Sequence, residues 1–297
     1  MAVKTSPGGG KHRRDEPTTR RSPSPQGTKR GFFRRYWWVF VGVPAVIAIG
    51  LVATIWFAYA NISIPNAPPQ AQTTFVYDIH GKQIASFHAT VNRTDIPFSD
   101  MPASLRQAVI AVEDKGYYHH GGISFLGIFR AAWTNITHGQ IEQGGSTITQ
   151  QYVKNVYTGS ERTFSRKIKE AILAVKLDHK YSKDEILARY LNTVYFGNGA
   201  YGAEAAARTY FGIPARKLSV AQSALLAGII RSPGTYDPVH DPVQAKARRD
   251  LVLDLMANQG YISAATALQL KTEPIVVKKV RGQSSGRFPY FIDFIRR

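Results

Sequence analysis

The chain contains no cysteine and has few acidic residues. Without cysteine it has no disulfide framework, no Cys-ligated zinc or iron–sulfur site and no cysteine nucleophile. Its 20 Asp and Glu face 38 Lys and Arg, so the 297 residues carry a formal net charge of +18. That excess favours an anionic partner, which is nucleic acid, a membrane surface or a phosphorylated substrate. The apolar fraction of 44% is ordinary for a globular chain and excludes wholesale disorder.

The first 35 residues carry a large share of the positive charge. They hold ten Lys and Arg against only Asp15 and Glu16, and they are rich in Pro, Gly, Ser and Thr. Such a segment cannot bury enough apolar surface to offset the entropy lost on ordering. The sequence therefore predicts a disordered basic tail over residues 1–35.

Residues 36–60 form an apolar run of 25 residues without a single charge. A helix of that length crosses a hydrocarbon core of about 30 Å, and aromatic residues stand at both of its ends. Because the basic tail precedes it, the positive-inside rule predicts a cytoplasmic N-terminus and an extracytoplasmic remainder. Ala58-Tyr59-Ala60 leaves a cleaved signal peptide as the alternative, but the run exceeds a typical h-region and favours a signal anchor. Next to such a span, anionic lipid is a better partner for the tail than nucleic acid.

After the span, residues 61–100 are predicted to form a Pro-rich linker and a β-hairpin around His80-Gly81-Lys82. After this region the residue pattern is typical of helices, and Asp100 is expected to cap a helix beginning near Pro102. Ser182 with Glu185 matches a capping box, and Ser219 is a further candidate N-cap. Six later helices are predicted at Thr163–His179, Ser182–Val194, Tyr201–Tyr210, Ser219–Ile230, Pro242–Gln259 and Ser263–Lys271. The absence of an alternating β-α pattern predicts a mainly α domain.

A further helix is predicted between Ser124 and Ile136, with a strongly apolar stripe. The stripe consists of Phe125, Ile128, Phe129, Ala132, Trp133 and Ile136, which recur at helical spacing. Two interpretations stay open. The stripe packs on the core, or it enters the outer leaflet of the membrane as interfacial helices do.

Between residues 113 and 170 the sequence concentrates polar side chains that suit a phosphate-bearing ligand. On a helix, Thr147, Gln151 and Lys154 share a face, and Gln150 is four residues from Lys154. Together with the acidic residues Glu113 and Glu170, they predict a site with two carboxylates and with positively charged side chains that hold a phosphate. The plainer alternatives are a solvated Glu113-Asp114 pair at a helix end and a surface ion pair between Arg166 and Glu170.

Five motifs appear in order between about Leu105 and Gly260. They are Glu113–Gly122, Gly144–Asn155, Arg166–Glu170, Lys183–Asn192 with Tyr195–Gly197, and Arg249–Met256. In these motifs the chain resembles the family 51 glycosyltransferases, the peptidoglycan glycosyltransferases of monofunctional enzymes and class A penicillin-binding proteins, and Tyr117 in the first motif replaces the usual Phe. The resemblance implies a lysozyme-like, mainly α fold with a membrane-associated jaw over residues 101–272.

The resemblance also implies polymerisation of lipid II into β-1,4-linked glycan by inverting transfer, with release of polyprenyl pyrophosphate. Glu113 is then the general base, and Glu170 supports the donor or binds a divalent metal, Mg or Mn. The remaining predicted substrate-binding residues are Asp114, Ser146, Thr147, Gln150, Gln151, Lys154, Arg162 and Lys167. No organic cofactor is implied. Expected partners are lipid II, the growing glycan strand, membrane lipids and other cell-wall synthesis proteins, but not nucleic acid.

Residues 273–297 resemble the linker to a transpeptidase domain, of which the sequence shows no sign. It contains no S-x-x-K and no S-D-N, and Lys271-Thr272-Glu273 is not K-T-G. We therefore expect a truncated bifunctional protein or a stand-alone transferase that binds no penicillin covalently. Two other function classes stay open, a glycan-cleaving muramidase or lytic transglycosylase and a non-catalytic scaffold. A cleaving enzyme does not need Lys154, Arg162 and Lys167, and the intact Glu113 and Glu170 argue against a scaffold.

Overall fold

A computed structural model describes residues 30–66, 74–77, 79–80, 83–87, 92–129, 137, 145–159, 161 and 163–278. The chain divides into two compact units, Met1–Trp56 and Phe57–Arg297. Residues 1–29 of the predicted tail lie outside the described residues, and so does most of the predicted linker over 273–297. Residues 30–35, predicted to be part of the disordered tail, are instead the first residues of a long helix.

The first unit contains most of a single long helix, α1, which runs from Arg30 to Asn61. Its segment Tyr36–Asn61 is long and apolar enough to cross a membrane, and none of its most apolar window is buried. Pro44 lies inside the helix, where the resulting loss of one backbone hydrogen bond is tolerated in membrane helices. The apolar helix predicted over residues 36–60 is therefore present.

In the second unit, the predicted hairpin follows the end of α1. Strand β1, Thr74–Tyr77, pairs antiparallel with β2, Gln83–Phe87, and Thr74 lies opposite Phe87. A second, very short pair joins β3, Asn92–Arg93, to β4, Ala200–Tyr201, in parallel. This pairing was not predicted, because two-residue strands more than 100 residues apart leave no periodic signal.

Helices make up the rest of this unit, which confirms the predicted mainly α class. They are α2 Ala103–Glu113, α3 Ile148–Val153, α4 Phe164–Lys180, α5 Lys183–Thr193, α6 Ala203–Phe211, α7 Val220–Ile229, α8 Pro242–Asn258 and α9 Ala264–Thr272. A π-helical turn, Lys154–Thr158, continues α3. The six helices predicted after residue 162 all occur, with ends within about two residues, as expected of frayed helix termini.

Capping explains several of these helix starts. The Ser182 hydroxyl accepts from the Glu185 backbone while the Glu185 carboxylate accepts from Ser182, which confirms the predicted capping box. Ser219 forms the same motif at α7. The prediction for Asp100 was wrong, because Asp100 ends a 3₁₀ turn and α2 starts after Pro102 without a side-chain cap. Proline at the N-cap, with its extended backbone, ends the preceding turn and lets α2 begin one residue later.

The core lies where α7 packs between α2 and α8. Leu225 and Leu226 of α7, Leu105 of α2 and Leu253 of α8 are all at least 98% buried. Because both neighbours of α7 are anchored in this core, the C-terminal end of α2 and one face of α8 are held rigidly. That end of α2 carries the first predicted catalytic residue, Glu113.

Candidate functional site

Glu113 is the last residue of α2, and a buried hydrogen-bond chain orients its carboxylate. Gln151 Nε2 of α3 donates to Glu113 Oε2 at 2.8 Å. The hydroxyl of Tyr190 on α5, a fully buried residue, donates to Gln151 Oε1 at 2.9 Å. Since the amide oxygen of Gln151 is occupied by Tyr190, its NH₂ group must face Glu113. Three helices thus meet at one carboxylate.

The electrostatic surroundings of Glu113 favour a proton acceptor. Burial raises the pKa of Glu113, while the Gln151 hydrogen bond and the positive charges of Arg248 and Arg231 oppose that rise. A carboxyl with a raised pKa is a stronger base when ionised than an exposed one. Sequence reasoning missed both arginines. Arg248 directly precedes the last motif, and Arg231 carries no motif signal at all.

The carboxylate of Asp114, which follows Glu113, makes its hydrogen bonds to other parts of the protein. It is 8% exposed, its Oδ1 lies 2.6 Å from His120 Nε2, and its Oδ2 accepts from the Ile148 backbone N–H at 3.1 Å. The alternative of a solvated Glu113-Asp114 pair is wrong for Asp114. Its carboxylate links the end of α2 to the start of α3.

The start of α3 is fixed by a capping box. The Thr147 hydroxyl accepts from the Gln150 backbone N–H, and the Gln150 side chain accepts from the Thr147 N–H. The same hydroxyl donates to Gly122 O at 2.7 Å. Gly122 must be glycine, because a Cβ there would lie 2.2 Å from Ala174 O. Thr147 and Gln150, predicted to bind substrate, are thus used largely in building the frame.

Glu170 on α4 lies at the centre of a buried ion-pair cluster. It is 1% exposed, its Oε1 pairs with Arg166 Nη1 and accepts from Thr158 Oγ1 at 3.1 Å, and its Oε2 lies 3.4 Å from Lys167 Nζ. The alternative of a surface pair with Arg166 is therefore wrong. Lys167 also donates to Ser146 Oγ at 2.9 Å. This contact joins α4 to the loop before α3.

Positive charge is concentrated beside Glu170. Burial, then the neighbouring charges of Arg166 and Lys154, lower the pKa of Lys167. Lys154, predicted to share a helical face with Thr147 and Gln151, instead begins the π-helical turn and is exposed. A doubly or triply charged anion would relieve the mutual repulsion of these cations, which is the electrostatic requirement for a phosphate site.

Two cavities meet at Glu113. The cationic cavity, of about 560 Å³, is lined by Glu113, Ser146, Gln150, Gln151, Lys154, Asn155, Arg166, Lys167, Glu170, Val194, Tyr195, Ile230, Arg231 and Pro233. The second, of about 550 Å³, is called the glycine-rich cavity and is lined by Glu113, Asp114, Gly116, His119 to Gly127, Gly145, Ser146, Thr147, Val175 and His179. Glu113 and Ser146 line both. A ligand in either cavity can therefore reach the Glu113 carboxylate.

The rim of the glycine-rich cavity is apolar and exposed. Residues 125–129 are helical, and Phe125, Leu126 and Phe129 are 79%, 77% and 68% exposed. The interpretation that the predicted stripe packs on the core is wrong for Phe125, Ile128 and Phe129. Ala132, Trp133 and Ile136 lie outside the described residues, as does the predicted phosphate ligand Arg162.

The predicted metal site at Glu170 does not fit the surrounding donors. Among the residues that the structure describes, no group of three or more His, Cys, Asp or Glu is placed to hold a metal ion. Both carboxylate oxygens of Glu170 face Arg166, Lys167 or Thr158 instead. Divalent ions prefer several oxygen ligands and are repelled by adjacent cations.

Comparison with known proteins identifies a family model and a set of relatives. The model described as "Transglycosylase" matches residues 80–257. The chain is 38% identical over 262 residues to penicillin-binding protein 1A of Aquifex aeolicus, covering 86% of this chain and 35% of that protein. It is 41% identical over 253 residues to penicillin-binding protein 1A of Mycobacterium tuberculosis, covering 82% and 31%. The chain thus spans about a third of the length of these curated relatives.

Among solved structures, the chain is similar to penicillin-binding protein 1A from Haemophilus influenzae. The match covers 78% of this chain and 24% of that one, at 21% sequence identity and a TM-score of 0.42.

Proposed function

The chain belongs to the transglycosylase family, the peptidoglycan glycosyltransferases of cell-wall synthesis, and from that premise we propose that it polymerises lipid II. The proposed product is a β-1,4-linked glycan strand, formed by inverting transfer with release of polyprenyl pyrophosphate. The observation that carries the proposal is the position of Glu113 between two cavities, of which only one is strongly cationic in its described lining.

In the proposed reaction, the growing strand occupies the cationic cavity through its pyrophosphate, and an incoming lipid II presents its sugar 4-hydroxyl from the glycine-rich cavity. The 4-oxygen attacks the anomeric carbon, and its proton passes to Glu113. The bond from that carbon to the pyrophosphate oxygen breaks, and the pyrophosphate leaves with the electron pair. Attack from the face opposite the leaving group inverts the anomeric centre, and a base placed on that side supports this course.

The cationic cavity supplies the second half of the proposed catalysis. Four positive side chains line it, Lys154, Arg166, Lys167 and Arg231, against the two carboxylates of Glu113 and Glu170. Negative charge grows on the pyrophosphate as the glycosidic bond breaks. Cations fixed in advance stabilise that charge without reorganising, which is the largest contribution in many enzymes.

We propose that Glu170 acts by positioning. It pairs with Arg166 and Lys167 and so sets the geometry of the clamp. The predicted Mg or Mn ion stays a prediction. Since Glu170 is already paired with cations, any such ion would be bound mainly by the phosphates of the substrate, as Mg²⁺ commonly is.

The location proposed for the protein is the bacterial cell membrane, with a cytoplasmic N-terminus and an extracytoplasmic catalytic unit. Two features support it, the apolar helix Tyr36–Asn61 and the exposed aromatic rim around Phe125 and Phe129. An apolar rim beside a cavity suits a substrate whose lipid chain stays in the bilayer. A reporter fused after Ala60 that is active only in the cytoplasm would overturn this orientation.

The test of the proposed function is polymerisation of labelled lipid II by the detergent-solubilised protein, with and without a divalent cation. Wild type is expected to give long strands, and Glu113→Gln none. Glu273→Gln is the control, because Glu273 is exposed and Arg249 contacts only its backbone oxygen. Polymerisation by Glu113→Gln at the wild-type rate would show that Glu113 is not the base. Cleavage of finished glycan with no polymerisation would instead support a muramidase or lytic transglycosylase.

A further inference from the structure

Arg248 lies on α8, directly before the last motif, and its side chain packs against a glycine of α7. Helix α8 also packs on α2, the helix that ends at Glu113. A Cβ added to Gly228 of α7 would lie 3.0 Å from Arg248 Cγ. That separation is tighter than a normal van der Waals contact between carbons. Any larger residue at position 228 would therefore displace the aliphatic part of Arg248. The absence of a side chain at Gly228 leaves room for the Arg248 side chain against α7.

The guanidinium of Arg248 is held within the protein. Its Cζ lies 5.4 Å from the centre of the Tyr236 ring, and its Nε is buried with no hydrogen-bond partner among the described residues. Stacking on an aromatic face orients a guanidinium and excludes water from it. Burial lowers the pKa of Arg248, and attraction to Glu113 is the largest effect opposing that change.

The groups that face Glu113 come from every element around it. Its own chain contributes the Asp114 carboxylate, α3 the neutral Gln151, and α5 the neutral Tyr190 hydroxyl. The positive charges are those of Arg231, which follows α7, and Arg248 on α8. Arg231 is exposed and lines the cationic cavity, where substrate charge would compete for it. Arg248 lines neither of the two cavities, so its charge stays directed at Glu113 when substrate binds.

We propose that Arg248 is a positioning residue that acts through Glu113, holding its carboxylate ionised and ready to take the proton of the attacking hydroxyl. The inference rests on the proposed function, in which Glu113 is the base. Arg248 contacts no reacting atom, and Gly228 is the residue that gives its side chain room. The charge of Arg248 is needed because the burial that makes Glu113 a strong base also favours the protonated form of Glu113.

The test is the pH dependence of lipid II polymerisation by full-length variants. Arg248→Gln removes the charge, so the pKa of Glu113 should rise and the acid limb of kcat/KM should move to higher pH. On that limb the rate should fall by up to about tenfold more than on the alkaline side. Arg248→Lys keeps the charge and should leave the limb near its wild-type position. Gly228→Ala, which displaces Arg248 without removing it, should move the limb in the same direction as Arg248→Gln.

Arg216→Gln is the matched control, since it removes an equal charge from an exposed position on a 3₁₀ turn. The limb should not move in this variant. A rate that falls equally at every pH in Arg248→Gln, with an unmoved limb, would overturn the inference and leave only a structural role. Thermal unfolding of each variant identifies any loss of fold, in which case Arg248→Lys and Gly228→Ala decide the question. If wild type forms no glycan strands, the proposed function fails. If Glu113→Gln polymerises normally, the proposed base fails and this inference with it, whereas if Glu113→Gln is inactive and the limb ignores Arg248, only this inference fails.

Discussion

The two carboxylates of the site, Glu113 and Glu170, lie in opposite environments. Glu113 accepts one hydrogen bond from a neutral amide, and burial raises its pKa. Glu170 is even less exposed, yet it is surrounded by Arg166, Lys167 and the Thr158 hydroxyl. Burial alone therefore does not determine what a carboxylate can do. The charge of its first neighbours decides whether it is available to accept a proton.

The difference assigns separate tasks to the two groups. A carboxylate that faces an amide across 2.8 Å can exchange that contact for a substrate hydroxyl at little cost. A carboxylate that neutralises two cations cannot be protonated without leaving buried positive charge unpaired. In the proposed reaction Glu113 is thus the chemical group, and Glu170 holds the cations that would meet the leaving pyrophosphate.

The largest expected effect comes from removing the base. In Glu113→Gln the amide keeps the size of the side chain and its contact with Gln151, but it cannot take a proton. We expect kcat for lipid II to fall by about 10² to 10⁴-fold with little change in KM. Steady-state kinetics on Glu113→Gln and Lys154→Ala measures the contrast. Lys154 meets substrate charge before and during the reaction, so Lys154→Ala should raise KM as well as lower kcat. A Glu113→Gln enzyme with altered KM and normal kcat would reverse the assignment.

The next effect is on stability and concerns Glu170. In Glu170→Gln the side chain keeps its volume while Arg166 and Lys167 lose their counter-charge. Breaking a buried ion pair in this way costs about 3–5 kcal/mol, so chemical unfolding should show a large loss. Glu204→Gln is the control, because its pair with Arg208 is half exposed on the arginine side. Equal losses of unfolding free energy in both variants would show that the Glu170 cluster contributes no more to stability than the Glu204–Arg208 pair.

Part of this contrast was predictable from sequence. The five motifs identified Glu113, Glu170 and Lys167, and helix periodicity with capping signals located six helices, including those begun by Ser182 and Ser219. These signals are local, so each of them can be read from a short stretch of the sequence. The prediction for Asp100 failed because two competing start signals, Asp100 and Pro102, stand two residues apart.

The rest depends on contacts between distant segments. Tyr190 meets Gln151 across 39 residues, and the charge of Arg248 influences Glu113 because α2, α7 and α8 pack on one another. No spacing rule connects such residues, since packing of the whole core decides which faces meet. For the same reason the two cavities, and the fact that Glu113 and Ser146 line both, follow only from the three-dimensional structure.

A smaller effect tests the raised pKa of Glu113 through stability. A carboxyl with a raised pKa in the folded state favours folding below its unfolded pKa, and that contribution is lost as pH rises through the folded pKa. Glu113→Gln removes the penalty for ionisation, so the variant should gain stability relative to wild type as pH rises through the raised folded pKa of Glu113. Tm measured across pH should show the gap closing towards acid. A constant gap at all pH values would mean that the pKa is not raised.

The smallest expected effect concerns the helix start that positions Gln151 against Glu113. Thr147→Ala removes the hydroxyl that caps α3 and donates to Gly122 O, and N-cap losses cost about 1 kcal/mol. Ser219→Ala removes the corresponding cap of α7, in a box of the same kind that lines neither of the two cavities. Thr147→Ala should lose more stability than Ser219→Ala in denaturant titrations, because it also leaves the buried Gly122 oxygen without its donor. Only Thr147→Ala should also lower kcat, because its helix carries the Glu113 partner. If Ser219→Ala lowers kcat equally, the loss reflects general destabilisation and the orientation of Glu113 does not depend on the α3 cap.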